Sequence, residues 1–74
     1  MRAREVNRRI ERLGGKMVRQ VGSHRRYAVT YTGTAGRETT VATTVPQHAG
    51  DIPAGTLRAM ERDLEPALGR GWLR

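Results

Sequence analysis

The sequence contains no cysteine and no phenylalanine, and its aromatic residues are one tryptophan and two tyrosines. Without cysteine, neither a disulfide framework nor a thiolate zinc site can form, and a cytosolic protein is favoured over a secreted one. No apolar run approaches the roughly 20 residues of a membrane-spanning helix, and no signal-peptide pattern opens the chain. We therefore expect one small cytoplasmic domain without a membrane segment, whose thin aliphatic core gives it modest stability.

Acidic residues are scarce in the first third of the chain. Residues 1–26 contain nine basic and two acidic residues, whereas residues 27–74 contain five of each, so the whole net charge of +7 lies in the first segment. Positive charge on one side of a small domain favours a polyanionic partner, because arginines held near phosphates release condensed counterions. The alternative is that the arginines only keep the protein soluble. Their clustering makes us favour a nucleic acid as the partner.

Helical periodicity marks both ends of the chain. A first helix is predicted over residues 3–13 and is ended by Gly14-Gly15, because glycine adopts the left-handed C-cap conformation without strain. A second helix is predicted after Pro53 and is expected to end near Glu65, since a residue before proline is biased away from helix. The apolar stripes that indicate these helices are Ala3, Val6, Ile10 and Leu13, and Leu57, Met60 and Leu64.

The segment between the helices has the composition of strands. The first strand is predicted over Lys16–Val21, the second from a glycine bend to about Thr32, and the third over Glu38–Val45, where Pro46 stops it. A glycine-rich loop at residues 32–37 joins the last two strands. The element order α-β-β-β-α predicts an α+β domain in which two helices pack on one face of a three-stranded antiparallel sheet.

Three further expectations concern the second helix and the tail after it. Asp51 is expected to face the positive N-terminal end of that helix. Pro66 is expected to open a short turn that ends at Gly69, with the core at residues 3–65 and a tail at 66–74. Within the tail, Trp72 either docks on the core or frays with the chain end.

The stretch Gly22-Ser23-His24-Arg25-Arg26-Tyr27 places chemically active side chains at a tight bend. A glycine turn between two apolar runs favours a β-hairpin. Strand alternation sends the two arginines to opposite faces, so one of them clamps a phosphate beside His24, and the sequence does not decide which. Tyr27 is interpreted as a core residue, with base stacking as the alternative. Without further context, His24 fits a solvated structural residue as well as a catalytic one.

These residues and others in the same order resemble the HicA (YcfA-like) family of toxin ribonucleases from type II toxin–antitoxin systems. The resemblance covers about residues 4–65, and the chain differs from the family in its longer loop at residues 32–37 and in its tail. The matching residues are the basic first helix with its Gly14-Gly15 stop, Arg19-Gln20, Gly22-Ser23-His24, Arg26-Tyr27, Val45-Pro46, His48, Gly50 and Gly55-Thr56-Leu57-Arg58.

The resemblance implies a fold like the double-stranded-RNA-binding domain, metal-independent cleavage of mRNA without a cofactor, a catalytic histidine at His24, and inhibition by a HicB-like antitoxin. RNA carries its own nucleophile, the 2′-hydroxyl, so a cleaving protein has to remove that proton and stabilise charge at phosphorus. Histidine suits proton transfer because its ordinary pKa lies nearest to working pH. The candidate RNA-binding residues around it are Lys16, Arg19, Gly22, Ser23, Arg25 and Arg26.

Other interpretations stay open beside this one. His48 is either a second acid or base for the same reaction or a structural residue before the second helix, and we favour the structural role. The two histidines and the scattered carboxylates lack the spacing of a metal site, so no metal is expected. A non-catalytic RNA-binding module needs only the basic first helix with Lys16 and Arg19, and a protein-interaction domain would use the exposed sheet face.

Overall fold

Two helices and three strands follow one another in the order α-β-β-β-α, which confirms the predicted α+β architecture. The computed structural model describes all residues, Met1–Arg74. The strands form one antiparallel sheet in the order β1-β2-β3, and no helix is both long and apolar enough to cross a membrane. The elements are α1 (Ala3–Arg12), β1 (Lys16–Val21), β2 (His24–Thr32), β3 (Glu38–Pro46) and α2 (Ala54–Leu68).

Both helices cover the same face of the sheet, where the core lies. On β2, Tyr27 and Val29 point into this core, and on β3 Val45 does so. Residues that alternate with these, beginning with His24 and Arg26, lie on the other face, which no element covers. The buried core consists of Ala3, Val6, Ile10, Tyr27, Val29, Val45, Ile52, Met60, Leu64, Trp72 and Leu73.

The glycine pair after α1 sets how closely the first helix approaches the sheet. Gly14 has a φ of +104°, a conformation that favours glycine. Gly15 donates its N–H to the carbonyl of Ile10 at 2.8 Å, and a Cβ at this position would overlap the Ile10 side chain. The pair therefore ends the helix as the sequence predicts, and it also allows close packing of α1 on Val29.

The second helix does not end where the sequence indicates. The expected end near Glu65 is wrong, because α2 continues through Pro66 to Leu68 and is closed by Gly69, whose N–H bonds the Glu65 carbonyl at 2.9 Å. A proline near the C-terminal end of a helix removes one backbone hydrogen bond. Ala67 and Leu68 pack against the core in return, so tertiary contact outweighs the local preference.

Asp51 forms its contacts with the start of the chain. Its side chain makes no hydrogen bond to α2, whose N-cap, Pro53, has no side-chain cap bond. Its carboxylate instead pairs with the ammonium group of Met1 at 3.2 Å, and Arg2 and Asp51 form an isolated β-bridge. The segment before α2 is thus tied to the start of α1.

The tail docks on the core, which decides between the two alternatives for Trp72. The indole is buried, and its Nε1 donates a hydrogen bond to the Glu61 carbonyl at 2.9 Å. The Arg9 guanidinium donates to the carbonyls of Trp72 and Arg74, each at 3.0 Å. Hydrogen bonds with both helices, at Arg9 on α1 and Glu61 on α2, therefore hold the tail in place.

Tyr27 is the largest fully buried side chain, which confirms its interpretation as a core residue. Its hydroxyl donates to the carboxylate of Glu11 on α1 and accepts a hydrogen bond from Arg25 at 3.5 Å. Burial, and then the hydrogen bond to Glu11, raise the pKa of Tyr27 above its ordinary value. This phenol connects α1 to the middle strand.

A polar network connects α1 to the turn between β1 and β2. Asn7 is buried on α1 and exchanges two hydrogen bonds with Gln47: Asn7 Nδ2 donates at 2.8 Å and Gln47 Nε2 donates at 3.1 Å. The backbone N–H of Gln47 donates to the Ser23 carbonyl at 2.6 Å. Gln47 therefore fixes the turn that precedes His24.

Replacing the phenol tests its part in stability. Tyr27→Phe is expected to lower the free energy of unfolding by about 1 kcal/mol at neutral pH, because the bonds to Glu11 and Arg25 are lost. Since the folded-state pKa is raised, the stabilisation in wild type is fully present below pH 10 and is lost as pH rises through the higher folded-state pKa. Urea denaturation should show a difference between the two proteins that shrinks above pH 10. A difference that stays constant in that range would contradict this account.

Removing the Gln47 side chain tests the network. Gln47→Ala is expected to lower the free energy of unfolding by about 1–3 kcal/mol, because it leaves the buried amide of Asn7 without partners. His48→Ala, at the exposed neighbouring position, is the control and should change it by less than about 0.5 kcal/mol. Thermal or urea denaturation measures both. Equal effects for the two variants would show that the network contributes nothing.

Candidate functional site

The turn between β1 and β2 is a two-residue loop, Gly22-Ser23, flanked by the paired residues Val21 and His24. Gly22 has a φ of +57°, and no residue other than glycine has a positive φ. A positive φ at the first loop position only is the pattern of a type II′ turn, whose twist suits a β-hairpin. Because a Cβ on Gly22 would meet no atom within 4 Å, the backbone conformation, and not crowding, requires glycine here. The predicted tight bend is confirmed.

His24 lies on the open face of the sheet with two arginines. Direct cross-strand partners share a face, and Arg19 on β1 pairs with Arg26 on β2. Arg26 donates a hydrogen bond to Thr44 Oγ1 on β3 at 3.0 Å, which orients its guanidinium. A shallow cavity of about 200 Å³ opens here, lined by Arg19, Val21, His24, Arg26 and Thr44.

The charge in this cavity is entirely positive. Neither Arg19 nor Arg26 forms an ion pair, and no carboxylate lines the cavity. Like charges directly opposite each other on neighbouring strands are destabilising. A bound anion would relieve this repulsion, and a phosphate group accepts hydrogen bonds from guanidinium groups in a fixed geometry. The cavity is therefore suited to a phosphate.

Arg25 points to the opposite face, towards the helices. It is half-buried, its Nε donates to the side-chain oxygen of Gln20 at 2.7 Å, and its Nη1 donates to the Tyr27 hydroxyl. The structure thus brings Arg26, and not Arg25, together with His24. The sequence indicated that the two arginines would separate but did not identify which one would share the face of His24.

The remaining candidate RNA-binding residues, Lys16, Gly22 and Ser23, do not line the His24 cavity. Lys16 is on the same open face, where it lines a second shallow cavity of about 330 Å³ with Gly14, Ala28 and Thr30. Gly22 and Ser23 form the turn itself, and the Ser23 carbonyl is occupied by Gln47. Lys16, Arg19 and Arg26 together make a row of cations across the open face.

His48 is not part of the His24 cavity. It lies in the loop after β3 and lines a different cavity, of about 220 Å³, with Arg2, Arg4 and the adjacent loop. Its side chain is exposed. Across the whole chain, no group of three or more His, Asp or Glu side chains is placed to hold a metal ion. The two histidines therefore line separate cavities.

Sequence reasoning missed two residues that shape the cavity. Thr44 reaches the site only through the pairing of Arg26 with Thr44 between β2 and β3. Gln47 reaches it through its bond to Ser23. Alternation along β3 indicates two faces, but which face joins His24 depends on the strand register, for which a single sequence contains no direct signal.

One comparison with known proteins identifies the family of the chain. The family model described as HicA toxin of bacterial toxin–antitoxin matches residues 3–65. No curated protein and no solved structure matches the chain. The matched range runs from the first residue of α1 into α2 and includes the whole sheet with the His24 cavity. This chain therefore belongs to the HicA toxin family of bacterial toxin–antitoxin systems.

Proposed function

We propose that this toxin is an endoribonuclease that cleaves mRNA, with His24 as its catalytic residue, and that a HicB-like antitoxin inhibits it. The observation that carries the proposal is the shared cavity of His24, Arg19 and Arg26, which is open to solvent and contains no carboxylate. A proton-transfer group beside two phosphate-binding groups is the minimum that RNA cleavage requires.

Substrate binding in this proposal depends on the row of cations. The guanidinium groups of Arg19 and Arg26 hold the scissile phosphate, and Lys16 contacts a neighbouring phosphate along the strand. The bond from Arg26 to Thr44 restricts the arginine to the open face. Arg25 acts indirectly in this scheme, because its bonds to Gln20 and Tyr27 keep it on the other face.

The reaction uses the 2′-hydroxyl of the RNA. His24 accepts the proton of this hydroxyl while its oxygen forms a bond to phosphorus, and the bond from phosphorus to the 5′-oxygen breaks. The leaving 5′-oxygen takes a proton from the imidazolium of His24 or from water. The products are a 2′,3′-cyclic phosphate and a 5′-hydroxyl. Arg19 and Arg26 stabilise the negative charge that develops on the phosphate oxygens.

A non-catalytic RNA-binding module is the second candidate. The observation that favours it is the same row of Lys16, Arg19 and Arg26, which is sufficient to bind RNA without any contribution from an imidazole. Under this alternative His24 is incidental. The two candidates differ in what happens when the imidazole is removed.

Removing the imidazole separates cleavage from binding. His24→Ala is expected to slow RNA cleavage by about 100-fold or more, the size of a general acid–base contribution, while RNA affinity and the fold persist. Gel assays of a labelled RNA in excess EDTA measure cleavage, and mass spectrometry identifies the cyclic phosphate. His48→Ala is the matched control and should cleave as wild type does. Cleavage that survives in His24→Ala, or that requires a divalent metal, would refute the mechanism.

Two single variants, each lacking one arginine, test the phosphate site. Arg26→Gln is expected to weaken RNA binding about 10-fold, because a charged hydrogen bond to phosphate is lost. Arg62→Gln removes the same charge from the exposed surface of α2 and should change binding by less than about 2-fold. Fluorescence anisotropy with an RNA that is 2′-deoxy at the scissile nucleotide avoids cleavage. The slope of log K against the logarithm of the salt concentration should become less steep by about 0.7 for Arg26→Gln and should not change for Arg62→Gln. Equal losses in both variants would indicate a general charge effect.

A further inference from the structure

The exposed large apolar side chains of this molecule are concentrated at one edge of the sheet. Four such side chains are more than two-fifths exposed: Leu13 at 44%, Met17 at 53%, Val18 at 60% and Val21 at 68%. Three of them are on β1, and Leu13 is the C-cap of α1 just before it. The other large aliphatic residues are buried in the core or packed against it. Exposed apolar clusters of this kind mark protein interaction sites.

We propose that this edge, which we name the β1 edge surface and define as Leu13, Met17, Val18 and Val21 with the flanking Arg12, Lys16 and Arg19, is the docking surface for the antitoxin. The segment of the antitoxin that binds there carries apolar side chains flanked by carboxylates. Membership of a toxin–antitoxin family supplies the partner. The consequence of docking for RNA cleavage rests on the proposed function.

The edge surface fits a protein better than it fits RNA. Its apolar side chains gain nothing from phosphate groups, whereas they lose contact with water when a protein covers them. Strand β1 is hydrogen-bonded only to β2, so one row of its backbone N–H and C=O groups has no partner in the sheet. A protein surface offers both apolar contacts and backbone hydrogen bonds to such an edge.

The charge around the edge surface defines the partner as acidic. No carboxylate occurs between Glu11 and Glu38, and the apolar residues are interleaved with Arg12, Lys16 and Arg19. A second copy of this chain would bring these cations against their equivalents, and like charges placed together oppose association. The β-bulge between Met17 and Arg19 also interrupts the regular register that two identical edges would need. Charge complementarity therefore favours a negatively charged partner over a second copy.

The position of the edge surface connects it to the His24 cavity. Arg19 and Val21 belong to both, since they line the cavity with His24. An antitoxin on the edge surface would therefore lie beside the scissile-phosphate site and occupy one of its two arginines. Docking and RNA binding compete in this arrangement, so inhibition does not require a change of shape in the toxin.

Neutral polar substitutions at the edge test the docking surface. The variant Met17→Ser/Val18→Ser removes two apolar contacts but adds no charge, and neither residue lines the His24 cavity. The probe is the purified product of the reading frame adjacent to the gene of this chain. Its affinity for the variant, measured by calorimetry, is expected to fall about 30-fold or more, as for a disrupted interface hot spot. The free variant should cleave RNA as wild type does and should resist inhibition.

A charge reversal provides the matched control. Arg12→Glu lies at the edge surface and Arg62→Glu lies on α2, and both are exposed. Only Arg12→Glu should weaken binding of the antitoxin. Unchanged binding in the edge variants, or failure of the probe to bind wild type, would overturn the proposal. So would edge variants that lose RNA binding but keep the antitoxin, or wild type that forms a dimer through this edge.

The binding and cleavage measurements together distinguish failure of the docking surface from failure of the proposed ribonuclease function. If wild type does not cleave RNA but the edge variants still lose the antitoxin, the docking surface stands and the proposed ribonuclease function fails. If cleavage depends on His24 but the edge variants bind the antitoxin normally, the function stands and the docking surface is refuted.

Discussion

The pairing of Val21 with His24 across a two-residue turn is the constraint on which the proposed site depends. A shift of one residue in this register would exchange the two faces of β2, turning His24 towards the helices and Arg25 towards solvent. The positive φ of Gly22 allows the turn, and the bond from Gln47 to the Ser23 carbonyl holds it from the side of β3. Through Asn7, the same network reaches α1. Through these hydrogen bonds, helix α1 contributes to the position of His24 without bonding to it directly.

The two faces of the middle strand have separate roles. Tyr27 and Val29 point into the core, while His24 and Arg26 face solvent. The tyrosines and the tryptophan are all on the helical side of the sheet, so the imidazole of His24 is the one aromatic ring on the open face. RNA bound as we propose would be held mainly through its phosphates, and contacts to phosphates carry little sequence information.

Local patterns were sufficient to predict the element order, the glycine bend and the burial of Ala3, Val6 and Ile10 on α1, because each depends on periodicity or on backbone conformation within a few residues. Leu13, from the same predicted apolar stripe, is instead the C-cap of α1 and is 44% exposed. The features that could not be predicted depend on contacts between distant segments. Pro66 is tolerated because Ala67 and Leu68 pack on the core. Asp51 pairs with Met1, and Gln47 with Asn7, across separations that no local rule describes. For the candidate site, alternation separated the two arginines, but only the packed helices define which face stays open.

The central claim is that RNA binds on the open face of the sheet around His24. An NMR titration of the labelled protein with a short RNA, 2′-deoxy at the scissile nucleotide, tests it most directly. The account predicts that the largest shifts occur in the amide signals of Arg19, His24, Arg26 and Thr44, with little change along α2, Ala54–Leu68. Shifts concentrated on α2, with the signals around His24 unchanged, would contradict it.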